Sequence, residues 1–135
     1  MTLLIDTNVL LDVFLQRKPF ENFSKQILEV CMLNKHEGII AAHSFTDLFY
    51  LLKKYFNSTD LRSLLLQVTK SFKIATINKE KIVTSLLRND FPDFEDCLQD
   101  ECANEFSADY IITRNTKDFA TAKTKVLTPE QFLML

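Results

Sequence analysis

An aspartate follows directly on the apolar run 2–5, and the chain continues Asp6-Thr7-Asn8. Other acids recur far along it: Asp47 within AHSFTDLFY, Asp93, Glu95 and Asp96 within DFEDCLQ, and Asp118 within TRNTKDF. Carboxylates gathered at one point raise one another's pKa or demand a cation. Hard oxygen donors of this kind suit Mg²⁺ or Mn²⁺. Two such ions about 3.5–4 Å apart can activate a water and stabilise the leaving oxygen of a phosphodiester. No Ser-His-Asp or Cys-His arrangement competes with this chemistry. Taken singly, an Asp ahead of a helix is most often an N-cap, which applies to Asp93 and in part to Asp47. Asp6 differs, because it closes a buried strand and needs partners there. Asp12 reads as a solvent-facing residue.

The elements that must position these acids can be read from apolar spacing. Short apolar runs predict strands over 2–5, 38–42, 73–77, 109–113 and 125–127. Helical spacing predicts helices over 9–15, 20–34, 44–56, 61–70, 79–89 and from Asp93 to about Phe106. Thr7-Asn8 offers start chemistry for the first helix, Gly38 ends the second, and Asn78 caps the fifth. Residues 115–119 read as a polar loop. Thr128-Pro129-Glu130-Gln131 is a capping box with Pro at N1, opening a short last helix. Strands alternate with helices and no tight hairpin signal joins neighbouring strands. The expected architecture is therefore an α/β layer fold with a central, mainly parallel sheet. In such sheets, sites form beyond the carboxyl ends of the strands. That rule brings Asp6, the start of the 44–56 helix, the start of the helix after Asp93, and Thr113–Asp118 to one edge.

Composition narrows the function classes. The chain has 135 residues, a formal net charge of −2, 47% hydrophobic and 25% charged residues. These values fit one globular domain over residues 1–135. The single glycine excludes a Walker A loop and a G-x-G-x-x-G turn. Three cysteines without a C-x-x-C pair argue against a disulfide framework or a zinc ribbon. No basic signal region and no long uncharged apolar window occur, so a cytoplasmic protein is expected. Twelve phenylalanines at helical spacing are core rather than a base-stacking platform. Arg17, Lys18, Arg114 and Lys117 flank the proposed site loops and are candidates for phosphate contacts. Lys53-Lys54 and Lys123/Lys125 read as solvated faces.

Three blocks resemble a known family. IDTNVLLD (5–12) resembles the opening of PIN-domain nucleases, and DFEDCLQ (93–99) followed by ADYIITRNTKDF (108–119) resembles the closing half of bacterial PIN proteins, including VapC-type toxins. The resemblance implies a PIN-like three-layer fold and a metal-dependent endoribonuclease, usually the toxin of a toxin–antitoxin pair. It implies Asp6 and Asp96 as holders of Mg²⁺ or Mn²⁺, and a product with a 5′-phosphate. Asp47 stands where relatives usually carry Glu, and Asn115 stands where many carry an acid, with Asp118 favoured as the fourth acid. Thr7, Asn8, Thr113 and Asn115 are implied as groups that orient Asp6 and water. A homodimer, an RNA substrate and a cognate antitoxin follow from the same resemblance. The departures at Asp47 and Asn115 keep open a non-catalytic RNA- or protein-binding module. A DNA nuclease of the same chemistry also stays open. A phospho-acceptor receiver domain ranks low, because Asn78 follows the middle strand where an acceptor Asp is needed.

Overall fold

The computed structural model describes residues 1–135. Five short strands carry the apolar runs: β1 (Thr2–Ile5), β2 (Glu37–Ala41), β3 (Lys73–Ala75), β4 (Tyr110–Ile112) and β5 (Val126–Leu127). They form one sheet in the order β3-β2-β1-β4-β5. Every pairing is parallel, with Leu4 opposite Ile39 on one side and Ile111 on the other. Seven helices connect and cover the strands: α1 (Thr7–Phe14), α2 (Glu21–Met32), α3 (Ala42–Leu52), α4 (Ser58–Ser71), α5 (Lys79–Leu87), α6 (Phe94–Glu105) and α7 (Pro129–Leu133).

The central strands are apolar on both faces because both faces are covered. Leu3, Ile5, Ile40 and Ile112 pack against α1, α2, α3, α4 and α7. Leu4, Ile39, Ala41, Ala75 and Ile111 face Cys97, Cys102 and Ala103 of α6. All three cysteines are free and buried. This is the expected three-layer α/β fold with a parallel sheet.

Several local expectations change. The helix after β2 begins at Ala42 rather than 44 and stops at Leu52 rather than 56, and β3 ends at Ala75 rather than 77. Residues 116–119 are not a plain loop but a 3₁₀ turn that buries Phe119. Gly38 does not end α2. The chain leaves that helix through Asn34, whose φ of 58° supplies the left-handed turn. Gly38 lies inside β2, where an added Cβ would run into the Phe72 ring and stand 3.0 Å from Cys31 Sγ. Its role is close approach, not chain reversal.

Two buried charges anchor helices. Asp12 is fully buried in α1 rather than solvent-facing. It accepts from Arg114 Nε at 2.6 Å and from Ser24 Oγ at 3.2 Å, which joins α1 to α2 and to the segment after β4. Asp100, also fully buried, accepts from Arg88 Nη1 at 2.8 Å and from the backbone N–H groups of Lys123 and Thr124. Lys123 is therefore more than a solvated face; its Nζ also meets Glu101 at 3.2 Å.

Candidate active site

The strand order fixes where a crevice opens. From β1 the chain proceeds to β2 and β3 on one side, then returns to place β4 on the other side of β1. The connections diverge between β1 and β4, and ligands bind at such switch points beyond the carboxyl ends of the strands. Asp6 ends β1 there and Thr113 ends β4 there.

Asp6 is 7% exposed and fully engaged. Its Oδ1 accepts the Thr7 backbone N–H at 2.8 Å, so Asp6 itself caps α1, a role the sequence suggested for Thr7-Asn8. Its Oδ2 accepts from Thr113 Oγ1 at 2.8 Å and from Asn8 Nδ2 at 3.3 Å. Asn8 Nδ2 also donates to Thr113 Oγ1 at 3.2 Å, and the Asn115 N–H donates to the same oxygen at 3.1 Å. Thr7 Oγ1 donates to Ser44 Oγ at 2.9 Å, and Gln99 Nε2 donates to Ser44 Oγ at 3.0 Å. These bonds tie the end of β1 to α3 and α6.

A cavity of about 350 Å³ opens beside this cluster, with Asp6, Asp47, Glu95, Asp96, His43 and Asn115 on its wall. Thr7, Asn8, Leu11, Tyr50, Leu51 and Gln99 complete it. Asp47 lies inside α3, so it is not an N-cap; Asp93 is one, accepting the Asp96 N–H at 3.0 Å. Asp118 sits on the 3₁₀ turn outside the wall, near enough for its charge to act on Asp6 and Asp96. Of the basic candidates, Arg17, Lys18 and Lys117 are exposed and none lines the cavity. Arg114 is committed inward, to Asp12 and to the face of Phe20, 4.2 Å from the ring centre. That corrects its reading as a free phosphate contact.

Charge in the cavity is crowded. Burial pushes Asp6 above the ordinary carboxylate range, against the lowering hydrogen bonds from Thr113 and Thr7. Burial also raises Asp96, to about 7, with Asp6, Asp93, Asp118 and Glu95 adding repulsion. Glu95 is raised by burial and then by Asp47 and Asp93. His43 is lowered, because burial outweighs the pull of Asp47 and the nearby Glu95 backbone. Neither of its ring nitrogens makes a well-formed hydrogen bond.

The donor set fits a hard divalent cation: oxygen-rich, negatively charged, and with no Lys or Arg on the wall to neutralise it. No three acidic or histidine side chains close around a single point unaided. Mg²⁺ commonly keeps several waters and takes only one or two carboxylates directly, so that spacing suits a hydrated ion. Sequence reasoning found Asp6, Asp47 and Asp96 but gave His43, Tyr50 and Gln99 no role. Spacing could have found two of these: His43 precedes Asp47 by four residues and Gln99 follows Asp96 by three, each pair sharing a helix face.

Comparison with known proteins agrees with this geometry. Residues 2–117 match the family model described as PIN domain. Ribonuclease VapC1 of Aquifex aeolicus is 28% identical over 132 residues, spanning 95% of this chain and 90% of its own length. A toxin–antitoxin complex from Klebsiella pneumoniae contains a chain 30% identical, with a TM-score of 0.70 and coverage of 93% and 96% of the two chains. FitAcB from Neisseria gonorrhoeae shares the fold at 18% identity and a TM-score of 0.70, with coverage of 95% and 98%.

Proposed function

The chain belongs to the PIN-domain family, and from that premise we propose that it is a divalent-metal-dependent endoribonuclease, the toxin of a type II toxin–antitoxin pair. One observation carries the reading: Asp6, Asp47 and Asp96, from β1, α3 and α6, line a single cavity at the switch point of the sheet. The relative named ribonuclease VapC1 and the toxin–antitoxin complex from Klebsiella pneumoniae support the substrate class and a protein antitoxin as partner. We place the protein in the cytoplasm, as one domain over residues 1–135 and as a homodimer; no helix is long and apolar enough to cross a membrane.

Asp6 and Asp96 would hold Mg²⁺ or Mn²⁺, with Asp47 and Asp118 completing the negative charge. When bound, the ion lowers the pKa of a water and stabilises charge on the phosphodiester oxygens. The chain's own residues do the rest. Thr113 and Asn8 hold Asp6 in one rotamer through bonds of 2.8 and 3.3 Å. Ser44, bonded to both Thr7 and Gln99, keeps the starts of α1 and α3 and the middle of α6 at fixed separation around the cavity. Asn115 stands on the rim, with Lys117 exposed beside it for the RNA backbone. Arg17 and Lys18, on the loop after α1, remain candidates for more distant phosphates.

The test is direct. Purified protein is incubated with mixed cellular RNA in Mn²⁺, Mg²⁺ or EDTA, with Asp96→Asn alongside. Cleavage that needs the metal and is lost in the variant is expected. Equal cleavage by the folded variant overturns the site assignment, and cleavage in EDTA overturns the metal requirement.

A further inference from the structure

A second, smaller cavity of about 140 Å³ opens at the same edge of the sheet, walled by Phe20, Phe23, Arg114, Pro129 and Glu130. It falls well below the roughly 300–1,000 Å³ that hold a drug-sized ligand, so it has room for one ring system. Phe20 and Phe23 stand three residues apart at the start of α2 and share a face there. They are 41% and 37% exposed, outside the core that helical spacing predicts for them. Arg114 arrives from the segment after β4. Its Nε is fixed on the fully buried Asp12 at 2.6 Å and its guanidinium lies over the Phe20 ring. Its two terminal nitrogens donate to no protein group and remain open to solvent. Glu130 on the same wall forms no ion pair with any cation. The pocket thus sets a pair of free donors and a lone carboxylate beside aromatic rings. Asn8 joins it to the acidic cavity: its Oδ1 accepts the Arg114 N–H at 3.3 Å while its Nδ2 reaches Asp6. Asn8 and Asp12 are about 6 Å apart along α1.

We propose that this pocket receives an unpaired guanine base of the RNA, next to the phosphodiester engaged by the acidic cavity. The inference rests on the ribonuclease reading and deepens it by assigning a base preference. Unstacked bases of single-stranded RNA are recognised by stacking on aromatic or guanidinium planes and by hydrogen bonds on their edges. The two terminal nitrogens of an arginine match the adjacent O6 and N7 acceptors of guanine. The acceptor-only carboxylate of Glu130 suits the N–H donors on another edge of the same base. Adenine presents N7 beside an amino donor, which leaves one Arg114 nitrogen unmatched. A phosphate fits less well, because Glu130 repels it and the Phe and Pro walls do not solvate it.

Fluorescence anisotropy reads this without any catalytic assay. The probes are short labelled oligouridines with G, A, C or U at one central position, titrated with the protein in EDTA so that metal-dependent cleavage is silent. The wild type is expected to bind the G strand about tenfold more tightly than the U and C strands, with the A strand between. Phe23→Ala should weaken binding of the G strand about tenfold through lost stacking. Glu130→Gln should narrow the preference for G over A. Equal affinities across the four strands, or no binding, overturn the proposal, a result that needs no variant to fold. A G preference left intact by both variants overturns it equally. The same strands in Mn²⁺, with Asp6→Asn as the inactive control, separate the two readings. Cleavage by a protein with no base preference refutes only the guanine pocket, whereas a G preference without cleavage refutes only the ribonuclease.

Discussion

Replacing Thr113 by Val tests the idea that this buried hydroxyl holds the site together. Thr113 is fully buried, and its Oγ1 is shared by three partners: it donates to Asp6 at 2.8 Å and accepts from Asn8 at 3.2 Å and from the Asn115 N–H at 3.1 Å. Val keeps the shape and removes the oxygen. Losing the bond to a carboxylate costs about 1.5–3 kcal/mol, and stranding a backbone N–H adds about 1 kcal/mol. Asn8 Nδ2 keeps its contact with Asp6 and adds little. The expected loss of stability in EDTA is therefore about 2.5–4 kcal/mol, read from urea denaturation. Because Asp6 Oδ2 then keeps only the longer bond to Asn8 beside the Thr7 N–H on Oδ1, Mn²⁺ affinity should fall about 10–100-fold in a calorimetric titration. Thr113→Ser restores the oxygen and removes one methyl, so it should recover the metal affinity while giving up about 1 kcal/mol of stability. A Val variant within 0.5 kcal/mol and twofold of wild type in these two measurements refutes the reasoning.

Other outcomes follow from the same geometry. Asp96 is held to about 7 against an ordinary 3.8. Unfolding therefore releases its proton between those values, and its contribution to stability falls as pH rises through that window. In EDTA, the wild-type melting temperature relative to Asp96→Asn should drop between pH 5 and pH 7.5, and saturating Mn²⁺ should remove that drop; no difference between the two proteins excludes the crowding described. Arg114→Leu strands buried Asp12, already short of a partner at Oδ1, and should cost about 3–5 kcal/mol by denaturation. Asp12→Asn in the same background should recover part of it. Lys117→Ala should weaken RNA binding in a filter assay and leave the melting temperature unchanged. Gly38→Ala pushes a methyl into the Phe72 ring and should cost about 1–3 kcal/mol.

Much of this was legible in the residues and some was not, for identifiable reasons. The strands announce themselves because both faces of a covered parallel sheet are apolar. Asp6 stands out because it is the first polar residue after such a run. The meeting of Asp6 with Thr113 was expected only from the family resemblance and the sheet-edge rule, not from local spacing. It depends on β1 and β4 being neighbours, and strand order leaves no local trace in the chain. Asp12 was misread for the same reason, since its partner Arg114 lies 102 positions away. Gly38 looked like a helix stop because that is what an isolated glycine most often marks. Its actual cause is sideways, an aromatic ring from the end of α4. His43 falls beside Asp47 at the edge that the sheet rule picks out, but its spacing alone gives it no role.

The separation of Asp6 from Thr113 also sets a timetable. The two residues are 107 positions apart, and their hydrogen bond closes the site. At about 5–20 residues per second, roughly 5–20 s pass between the synthesis of the first and the second. A nascent chain in that interval carries scattered acids and no cavity, because α6 and β4 do not yet exist. The site chemistry waits until α6 and β4 have been made, whatever the strand β1 already carries.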